Sequence, residues 1–168
     1  ESADLQKDSL KIFGYDYTSP KLKGMRDLFL NAKTLYAYRL NSGEAAQCTL
    51  ATARYSGTRG NDIKIIVSQN IDDASKMDVI TMMDSVIVDA QKVRNISELA
   101  DNDFVIFKKE ATLTETAGMP LTGGTNKDSV TGTDYQTFLD KIESYSFNTL
   151  GCLSTEETIK GLFTAFTK

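Results

Sequence analysis

Histidine is missing from the 168 residues of this sequence. Neither a Ser-His-Asp triad nor a Cys-His pair can form within the chain, which excludes the commonest nucleophilic enzymes. The most frequent side-chain ligand of zinc and other transition metals is absent as well. Because carboxylate pairs and lysines also perform catalysis, the absence weakens the prediction of an enzyme without excluding it.

Cysteine and basic charge are scarce. Cys48 and Cys152 are too few for a disulfide framework or a zinc site. Their small and apolar neighbours predict two buried, reduced thiols, and a disulfide between them is the alternative. The 19 basic and 23 acidic side chains give a net charge of -4. Since nucleic-acid binding needs a basic face, we expect no nucleic-acid partner.

Long apolar runs are missing too. No stretch is long enough to span a bilayer, and the start lacks the basic and then apolar pattern of a secretory signal, so we expect no membrane partner. The sequence starts without Met, and residues 163–168 stop inside a helical pattern, so we expect both ends to be cut. With 40% hydrophobic and 25% charged residues, the chain has the composition of one globular domain, or of a core with a small insert.

Helical patterns occupy both ends of the chain. Residues 5–13 predict a helix that ends at Gly14, and Ser19 and Pro20 predict the start of a second helix that reaches Phe29. Near the other end, two segments repeat apolar residues at i, i+3, i+4 and i+7, which predicts two amphipathic helices. These residues are Tyr135, Phe138, Leu139 and Ile142 in the first segment, and Ile159, Leu162, Phe163 and Phe166 in the second. Residues 154–157 predict a capping box for the last helix.

Strand patterns fill the middle of the chain and also flank it. Residues 34–40 and 147–153 predict one strand each near the helical ends. From Ala45 onward, strand and turn signals continue for about seventy residues. The predicted strands there are residues 48–54, 63–68, 76–81, 86–93, 104–107 and 111–116, with a hairpin turn at 82–85 and one helical turn at 95–100.

Together these elements predict an α/β fold class. We expect a mixed-sheet core flanked by helices, formed discontinuously by residues 1–43 and 118–168. Residues 44–117 are expected to form an inserted antiparallel β-rich subdomain. A single mixed sheet is the alternative.

Two glycine-containing segments have the composition of a phosphate-binding loop. Residues 57–61 (Gly-Thr-Arg-Gly-Asn) lack the lysine and Ser/Thr of a P-loop and open no clear helix, so a structured turn is favoured. Residues 121–125 (Leu-Thr-Gly-Gly-Thr) lack the GxGxxG spacing and its acidic partner. We expect them to return the chain to the core.

Acidic residues occur in three groups. Asp72 with Asp73, and residues 101–103, lack the alternating oxygen ligands and closing glutamate of a calcium loop, which favours solvated turns. Glu156 and Glu157 are explained by helix capping and the helix dipole. The sequence thus predicts no catalytic, cofactor-binding or metal-binding residues and no cofactor.

Residues 55–64 (Tyr-Ser-Gly-Thr-Arg-Gly-Asn-Asp-Ile-Lys) resemble a signature of contractile-tail sheath proteins, in the branch typical of Gram-positive phages and defective prophages. Further landmarks resemble the family in the same order along the chain. They are residues 12–15 and 35–40 before the signature and residues 86–93, 98–105, 121–124, 135–142 and 147–150 after it. The resemblance covers essentially the whole chain. One departure is residues 125–128 (Thr-Asn-Lys-Asp), where the family usually has an Asp-Gly pair.

The resemblance implies a structural subunit rather than an enzyme. Sheath cores are called subtilisin-like for their α/β topology and have no protease activity. Sheath subunits form a homopolymer of stacked hexameric rings around a tail tube protein, and terminal extensions add strands to the sheets of neighbouring subunits. Contraction then drives the tube through a target envelope without a cofactor. The particle is assembled in the bacterial cytoplasm and released as a phage tail or an R-type bacteriocin, and the sequence leaves open which of the two. Without the extensions, this chain is expected to be a monomer.

Two other functional classes stay open. A non-enzymatic binding or adhesion module would show exposed aromatic clusters on residues 44–117. A histidine-free enzyme would hold two facing carboxylates in a deep pocket.

Overall fold

The computed structural model describes residues 2–40 and 43–167, which form two compact units. The first unit comprises Glu1–Tyr36 and Ser42–Asn126, and the second comprises Ala37–Asn41 and Lys127–Lys168. Each unit has its own buried apolar cluster.

Two helices open the first unit at the positions that the sequence predicts. Helix α1 spans Ser2–Phe13 and ends at Gly14, whose φ of 74° suits a glycine after a helix. A 3-10 turn, Pro20–Leu22, precedes helix α2, Lys23–Phe29. Ser19 caps the turn, since its hydroxyl oxygen accepts a hydrogen bond from the backbone N–H of Lys21.

Six strands form two antiparallel sheets in the same unit. The strands are β1 Ala51–Ala53, β2 Ile63–Gln69, β3 Met77–Met83, β4 Val86–Val93, β5 Val105–Phe107 and β6 Thr116–Pro120. Strands β1 and β5 pair in one sheet, and the order of the other sheet is β4-β3-β2-β6. The predicted hairpin is confirmed: Met83 pairs with Val86, which leaves a two-residue turn at Asp84 and Ser85. The predicted helical turn is the 3-10 turn Ile96–Glu98.

The two sheets share one apolar core. The predicted strand at residues 63–68 is confirmed as β2, in which Ile63, Ile65 and Val67 are buried and Lys64 is exposed. Each sheet contributes inward residues to the same cluster, so the strands form a sandwich. These residues are Ala51, Ala53, Val105 and Phe107 from the smaller sheet, and Ile63, Ile65, Val67, Val79 and Val93 from the larger sheet.

Helices α3, Gly132–Ile142, and α4, Glu157–Phe166, form the second unit. Both predicted amphipathic faces are confirmed, because the buried residues of the two helices lie in one cluster. Leu139, Ile142, Ile159 and Phe163 are buried, and Tyr135, Phe138, Leu162 and Phe166 pack against them. Tyr38 stacks on Phe138 with ring centroids 5.6 Å apart.

The capping box lies on a different helix from the one predicted. The backbone N–H of Thr131 donates to Asp134 Oδ2 at 2.7 Å, which completes a capping box at the start of α3. The box predicted at residues 154–157 is wrong. The Ser154 hydroxyl oxygen instead accepts from the backbone N–H of Glu156 at 3.2 Å, two residues along the chain. Helix α4 therefore begins at Glu157 without a side-chain cap.

Several predicted strands are wrong in extent or position. Residues 34–40 and 147–153 form no strand, and residues 111–115 are also irregular, the strand beginning at Thr116. The strand predicted at residues 48–54 is shorter in the structure, where β1 spans Ala51–Ala53. Gln47 also makes an isolated bridge with Thr52. A strand exists only where a neighbouring strand accepts its hydrogen bonds, and the described residues supply none to 34–40 or 147–153.

The α/β fold class is confirmed, with an antiparallel β-rich section between helical ends. All strand pairs among residues 2–40 and 43–167 are antiparallel. The predicted domain bounds differ from the compact units, because residues 1–36 group with the sandwich rather than with residues 127–168. Contacts such as that between Lys11 and Asp103, at 3.0 Å, connect α1 to the sandwich. The discontinuous core of residues 1–43 and 118–168 stays a prediction.

Candidate functional site

The segment that carries the sheath-like signature folds as a tight turn between β1 and β2. Thr58–Asp62 form a 3-10 helix, and Gly57 before it has φ 120°, which only glycine adopts readily. Two N–H groups at its start are bonded within the protein. That of Gly57 donates to the Glu44 carbonyl at 2.8 Å, and that of Thr58 donates to Asn126 Oδ1 at 3.1 Å. These two groups therefore hold the turn in place rather than facing an anion.

Arg59 connects the turn to two other parts of the first unit. Its guanidinium donates to the carboxylates of Asp62 at 2.7 Å and Asp84 at 2.9 Å, and also to the Gly14 carbonyl. Its Cζ lies 4.8 Å from the ring centroid of Tyr15. These bonds raise the pKa of Arg59 and lower that of Asp84. Arg59 thereby holds both the end of α1 and the β3–β4 turn against the turn at residues 57–62.

Asn61 makes a pair of hydrogen bonds with a residue far along the chain. Its Oδ1 accepts from the backbone N–H of Gly124 at 2.8 Å, and its Nδ2 donates to the Gly124 carbonyl at 2.9 Å. A Cβ on Gly124 would lie 2.5 Å from the Gly57 carbonyl oxygen. The segment at residues 121–125 therefore returns to the core as predicted, and glycine is required there by a close backbone approach.

The two segments that lead into and out of the sandwich run side by side. Gln47 and Thr122 exchange backbone hydrogen bonds of 2.8 and 3.0 Å, and the Thr125 N–H donates to the Glu44 carbonyl at 3.1 Å. Gly60 packs against the first of these segments, since a Cβ there would lie 2.9 Å from that of Ala46. We call residues 57–62 with Gly14, Asp84 and residues 124–126 the Arg59 junction. It ties the turn to α1, to the β3–β4 hairpin and to both connections of the sandwich.

The acidic residues singled out from the sequence have structural partners in separate places. Asp73 accepts from the Ser75 hydroxyl at 2.6 Å and pairs with Lys76 at 3.0 Å, which lowers its pKa to about 2. Asp72 is exposed on the same loop. Glu157 pairs with Lys160 at 2.8 Å, within α4.

Residues 101–103 support the strand that follows them. Asp101 accepts from the backbone N–H of Phe107 at 2.9 Å. The Asn102 side chain accepts from the N–H of Val105 at 2.8 Å and donates to the buried hydroxyl of Thr81 at 3.1 Å. These residues hold β5 against the larger sheet, a role that turn composition alone does not reveal.

Neither a metal cluster nor a membrane span occurs in the described parts of the chain. No three of their His, Cys, Asp or Glu side chains converge as metal ligands would, and none of their helices has the length and apolar content to cross a bilayer. Cys48 and Cys152 are free thiols, half-buried rather than fully buried. Among described residues 44–117, Tyr55 is the exposed aromatic side chain, so the cluster expected of an adhesion module is not found there.

The model of the phage tail sheath protein beta-sandwich domain matches residues 41–128, just over half of the chain. The chain belongs to the phage tail sheath protein family. The matched range contains both sheets of the sandwich and all of the Arg59 junction except Gly14. The resemblance of residues 55–64 to the sheath signature is thereby confirmed.

Two proteins of Bacillus subtilis (strain 168) are similar to this sheath family member over nearly its whole length. The phage-like element PBSX protein XkdK is 36% identical and the protein YqbK is 34% identical, each over 96% of this chain. The match covers 40% of either relative, so the chain spans about two-fifths of their length.

Two solved sheath tail proteins have the same fold. The protein from Desulfitobacterium hafniense is 40% identical, with a TM-score of 0.84 over 94% of this chain and 39% of its own. The protein from Listeria innocua is 37% identical, with a TM-score of 0.84 over 96% of this chain and 38% of its own. By family and by fold, the chain is thus part of a phage tail sheath protein.

The sequence missed the partners that complete the junction. Asp84 lies 25 residues from Arg59, and Gly124 lies 63 residues from Asn61. The sequence predicts a hairpin turn that contains Asp84 and a glycine-containing segment that contains Gly124. Nothing in their local spacing signals that they meet.

Proposed function

We propose that this chain is part of a subunit of a contractile tail sheath. In this proposal, the subunit polymerises around a tail tube and contracts to drive the tube through the envelope of a target cell. Membership of the sheath family over residues 41–128 carries the proposal, together with the likeness to two proteins named as sheath tail proteins. Because the chain spans about two-fifths of its relatives, polymerisation and contraction belong to the whole subunit.

The second unit supports the view that a larger subunit completes this chain. Residues 147–153 have a strand-like sequence but belong to no strand among the described residues. Leu153 is 100% exposed and Phe147 is 37% exposed. Residues 34–40 have the same character, and Tyr36 there is 54% exposed. We assign both segments to a core sheet whose other strands come from sheath polypeptide outside this chain.

The Arg59 junction supports a mechanical role rather than a catalytic one. The side chains of Arg59 and Asn61 bind groups of their own unit, so the junction stiffens the sandwich and these side chains are not directed at a substrate. A subunit that moves as a rigid body during contraction needs such internal bonds. We therefore propose no enzyme activity, no catalytic, cofactor-binding or metal-binding residue and no cofactor.

The proposed partners are other sheath subunits in stacked hexameric rings and the tail tube protein. Neither nucleic acid nor membrane is a proposed partner. Assembly takes place in the bacterial cytoplasm in this proposal, and the product is a released phage tail or tail-like particle. The 168-residue chain by itself is expected to be a monomer at ordinary concentrations.

The test compares this chain with a longer one that carries the flanking segments of a sheath relative at both ends. Size-exclusion chromatography and negative-stain electron microscopy are applied to both. The proposal expects a monomer for the short chain and rings or tubes for the long chain. A long chain that stays a monodisperse monomer under all assembly conditions removes the support for polymerisation, and tubes of the short chain contradict the role of the flanking segments.

A further inference from the structure

Strand β5 lies at the edge of its sheet, and its bonds to β1 show which of its backbone groups point outward. The Lys108 N–H donates to the Leu50 carbonyl at 2.9 Å, and the Phe104 carbonyl accepts from the residue after β1 at 2.8 Å. Because the direction of these groups alternates along an antiparallel strand, Val105 and Phe107 direct theirs away from β1. No strand lies on that side of β5 among the described residues.

The outward groups are bonded instead to the loop that precedes the strand. The N–H of Val105 donates to Asn102 Oδ1 at 2.8 Å, and the Val105 carbonyl accepts from the Asn102 N–H at 3.1 Å. The N–H of Phe107 donates to Asp101 Oδ1 at 2.9 Å. We call residues 99–102 the edge cover. It occupies the bonding positions that a neighbouring strand would otherwise use.

The edge cover is also bonded to the edge of the larger sheet. The Ala100 N–H donates to Gln91 Oε1, and Gln91 Nε2 donates to the Ala100 carbonyl, each at 2.8 Å. Asn102 Nδ2 donates to Asp89 Oδ2 at 2.9 Å. Leu99 is 2% exposed and belongs to the core cluster of the sandwich. Since Gln91 and Asp89 lie on β4, the edge cover connects the edge strands of the two sheets.

The opposite side of the sandwich is closed in a different way. There, Gln47 forms main-chain bridges with Thr52 of β1 and with Thr122, which follows β6. On the β5 side, by contrast, the closure depends on the side chains of Asp101 and Asn102. A substitution removes a side-chain bond more readily than a main-chain bond, so the β5 side is the one that a substitution can open.

The sequence of β5 favours pairing with another strand wherever its edge is free. Residues 104–107 (Phe-Val-Ile-Phe) contain no charged residue, proline or glycine. This composition is typical of segments that pair between chains. Ile106 is 44% exposed, so β5 also has an apolar side chain on its solvent face. Folded proteins protect such edges by covering them with a loop.

We propose that the edge cover prevents β5 from pairing with β5 of a second copy of this chain. Without the cover, two β5 strands pair antiparallel through the outward groups of Val105 and Phe107. Val105 of one copy then lies opposite Phe107 of the other, and the two Ile106 side chains lie opposite each other. The contact is isologous and gives a dimer. The inference concerns the isolated chain and goes beyond the proposed function, on which it does not rest.

The test removes one side-chain bond of the edge cover. Asp101→Ala frees the Phe107 N–H, and because Asp101 is exposed, the fold is expected to be kept, which circular dichroism checks. Asp101→Asn is the matched control, since it loses the same charge but keeps an oxygen that accepts the bond. At about 0.05 mM, amide hydrogen exchange at Phe107 is expected to be at least about tenfold faster in Asp101→Ala than in the control.

Self-association of the same variants is measured by sedimentation equilibrium between about 0.05 and about 1 mM. Asp101→Ala is expected to dimerise at least about tenfold more tightly than the unchanged chain, whereas Asp101→Asn matches the unchanged chain. In the dimer, the Phe107 amide is expected to regain protection from exchange, because it donates to the second copy.

A second substitution locates the contact. In the Asp101→Ala chain, Ile106→Lys places two like charges opposite each other in the paired strands and is expected to abolish dimerisation. Ile87→Lys in the same chain adds the same charge at an exposed residue of β4 and is expected to leave dimerisation unchanged.

Each of the following results overturns the proposal. If Asp101→Ala stays a monomer up to about 1 mM although its Phe107 amide exchanges faster, the bond stabilises β5 without preventing pairing. An unchanged exchange rate at Phe107 removes the bond itself. Equal dimerisation of Asp101→Ala and Asp101→Asn assigns the effect to charge, and dimerisation that Ile106→Lys leaves intact places the contact outside β5. Tube formation by the longer chain is a separate measurement, so the proposed function stands or fails independently.

Discussion

The sandwich and the helix pair differ in the size of their buried apolar cores. Thirteen buried residues from both sheets and their loops form the core of the sandwich, whereas four buried residues form that of the helix pair. Large exposed apolar side chains occur in both units, for example Ile71 at 98% in the sandwich and Leu153 at 100% in the second unit, so the difference lies in the buried cores. Strands and loops together thus build the core of the sandwich, whereas the helix pair depends on the apolar faces of two helices.

The difference follows from what each unit can pair. Every strand of the sandwich finds a neighbour within the described residues, so its backbone groups and its inward side chains are satisfied together. The helices α3 and α4 satisfy their own backbone bonds, but the irregular segment at residues 147–153 pairs with no strand among the described residues. A unit with an unpaired segment and a small core opens at a lower free energy than one with a closed core.

The largest effect is expected from removing one core side chain in each unit. Ile65→Ala in the sandwich should lower the free energy of unfolding by about 2–5 kcal/mol, because the residue is fully enclosed. Leu139→Ala, equally buried, should release α3 and α4 and leave β2 protected. Amide hydrogen exchange of both variants checks this. Equal loss of protection in both units after either substitution would show that they unfold as one.

A smaller effect is expected at the Arg59 junction. Asn61→Ala removes both bonds to Gly124 and should cost about 1–3 kcal/mol, because the partly buried backbone groups of Gly124 lose their partner. Asn148→Ala, on an exposed residue of the helix-pair unit, is the control and should stay within about 0.5 kcal/mol of the unchanged chain. Urea unfolding measures both. If the two variants have equal free energies of unfolding, the hydrogen bonds of Asn61 do not stabilise the sandwich.

Two glycines should respond in opposite directions. Gly60→Ala brings a Cβ to 2.9 Å from that of Ala46 and should destabilise the sandwich by about 1–3 kcal/mol. Gly161→Ala, in α4 with nothing within 4 Å, should stabilise the helix pair by up to about 1 kcal/mol. Thermal unfolding followed by circular dichroism checks the sign of each change. A stabilised Gly60 variant would mean that Ala46 moves freely.

The smallest effect concerns pH. Bonds from Lys127 and Thr131 lower the pKa of Asp134 to about 2, below its unfolded value of about 4. This contribution is therefore present above about pH 4 and is lost as the pH falls towards 2. Asp134→Asn should therefore reduce the loss of helix-pair stability between about pH 4 and 2 relative to the unchanged chain. Acid unfolding followed by circular dichroism measures this, and coinciding profiles for Asp134→Asn and the unchanged chain would contradict the capping box.

The sequence by itself determined the elements whose signals are local. A helix satisfies its own backbone, so periodicity and capping residues such as Ser19, Pro20 and Gly14 were enough to locate it. The β3–β4 hairpin was found for the same reason, since its strands are neighbours in the chain. The signature at residues 55–64 also identified the family, although its physical role was not apparent.

Only the tertiary structure decided which extended segments become strands and which side chains meet. Residues 34–40 and 63–69 have similar local patterns, but the second pairs with a strand on each side, whereas the first pairs with no strand among the described residues. Arg59 meets Asp84, and Asn61 meets Gly124, across separations of 25 and 63 residues. Strand pairing and long-range hydrogen bonds depend on where the rest of the chain lies, and no local pattern contains that information.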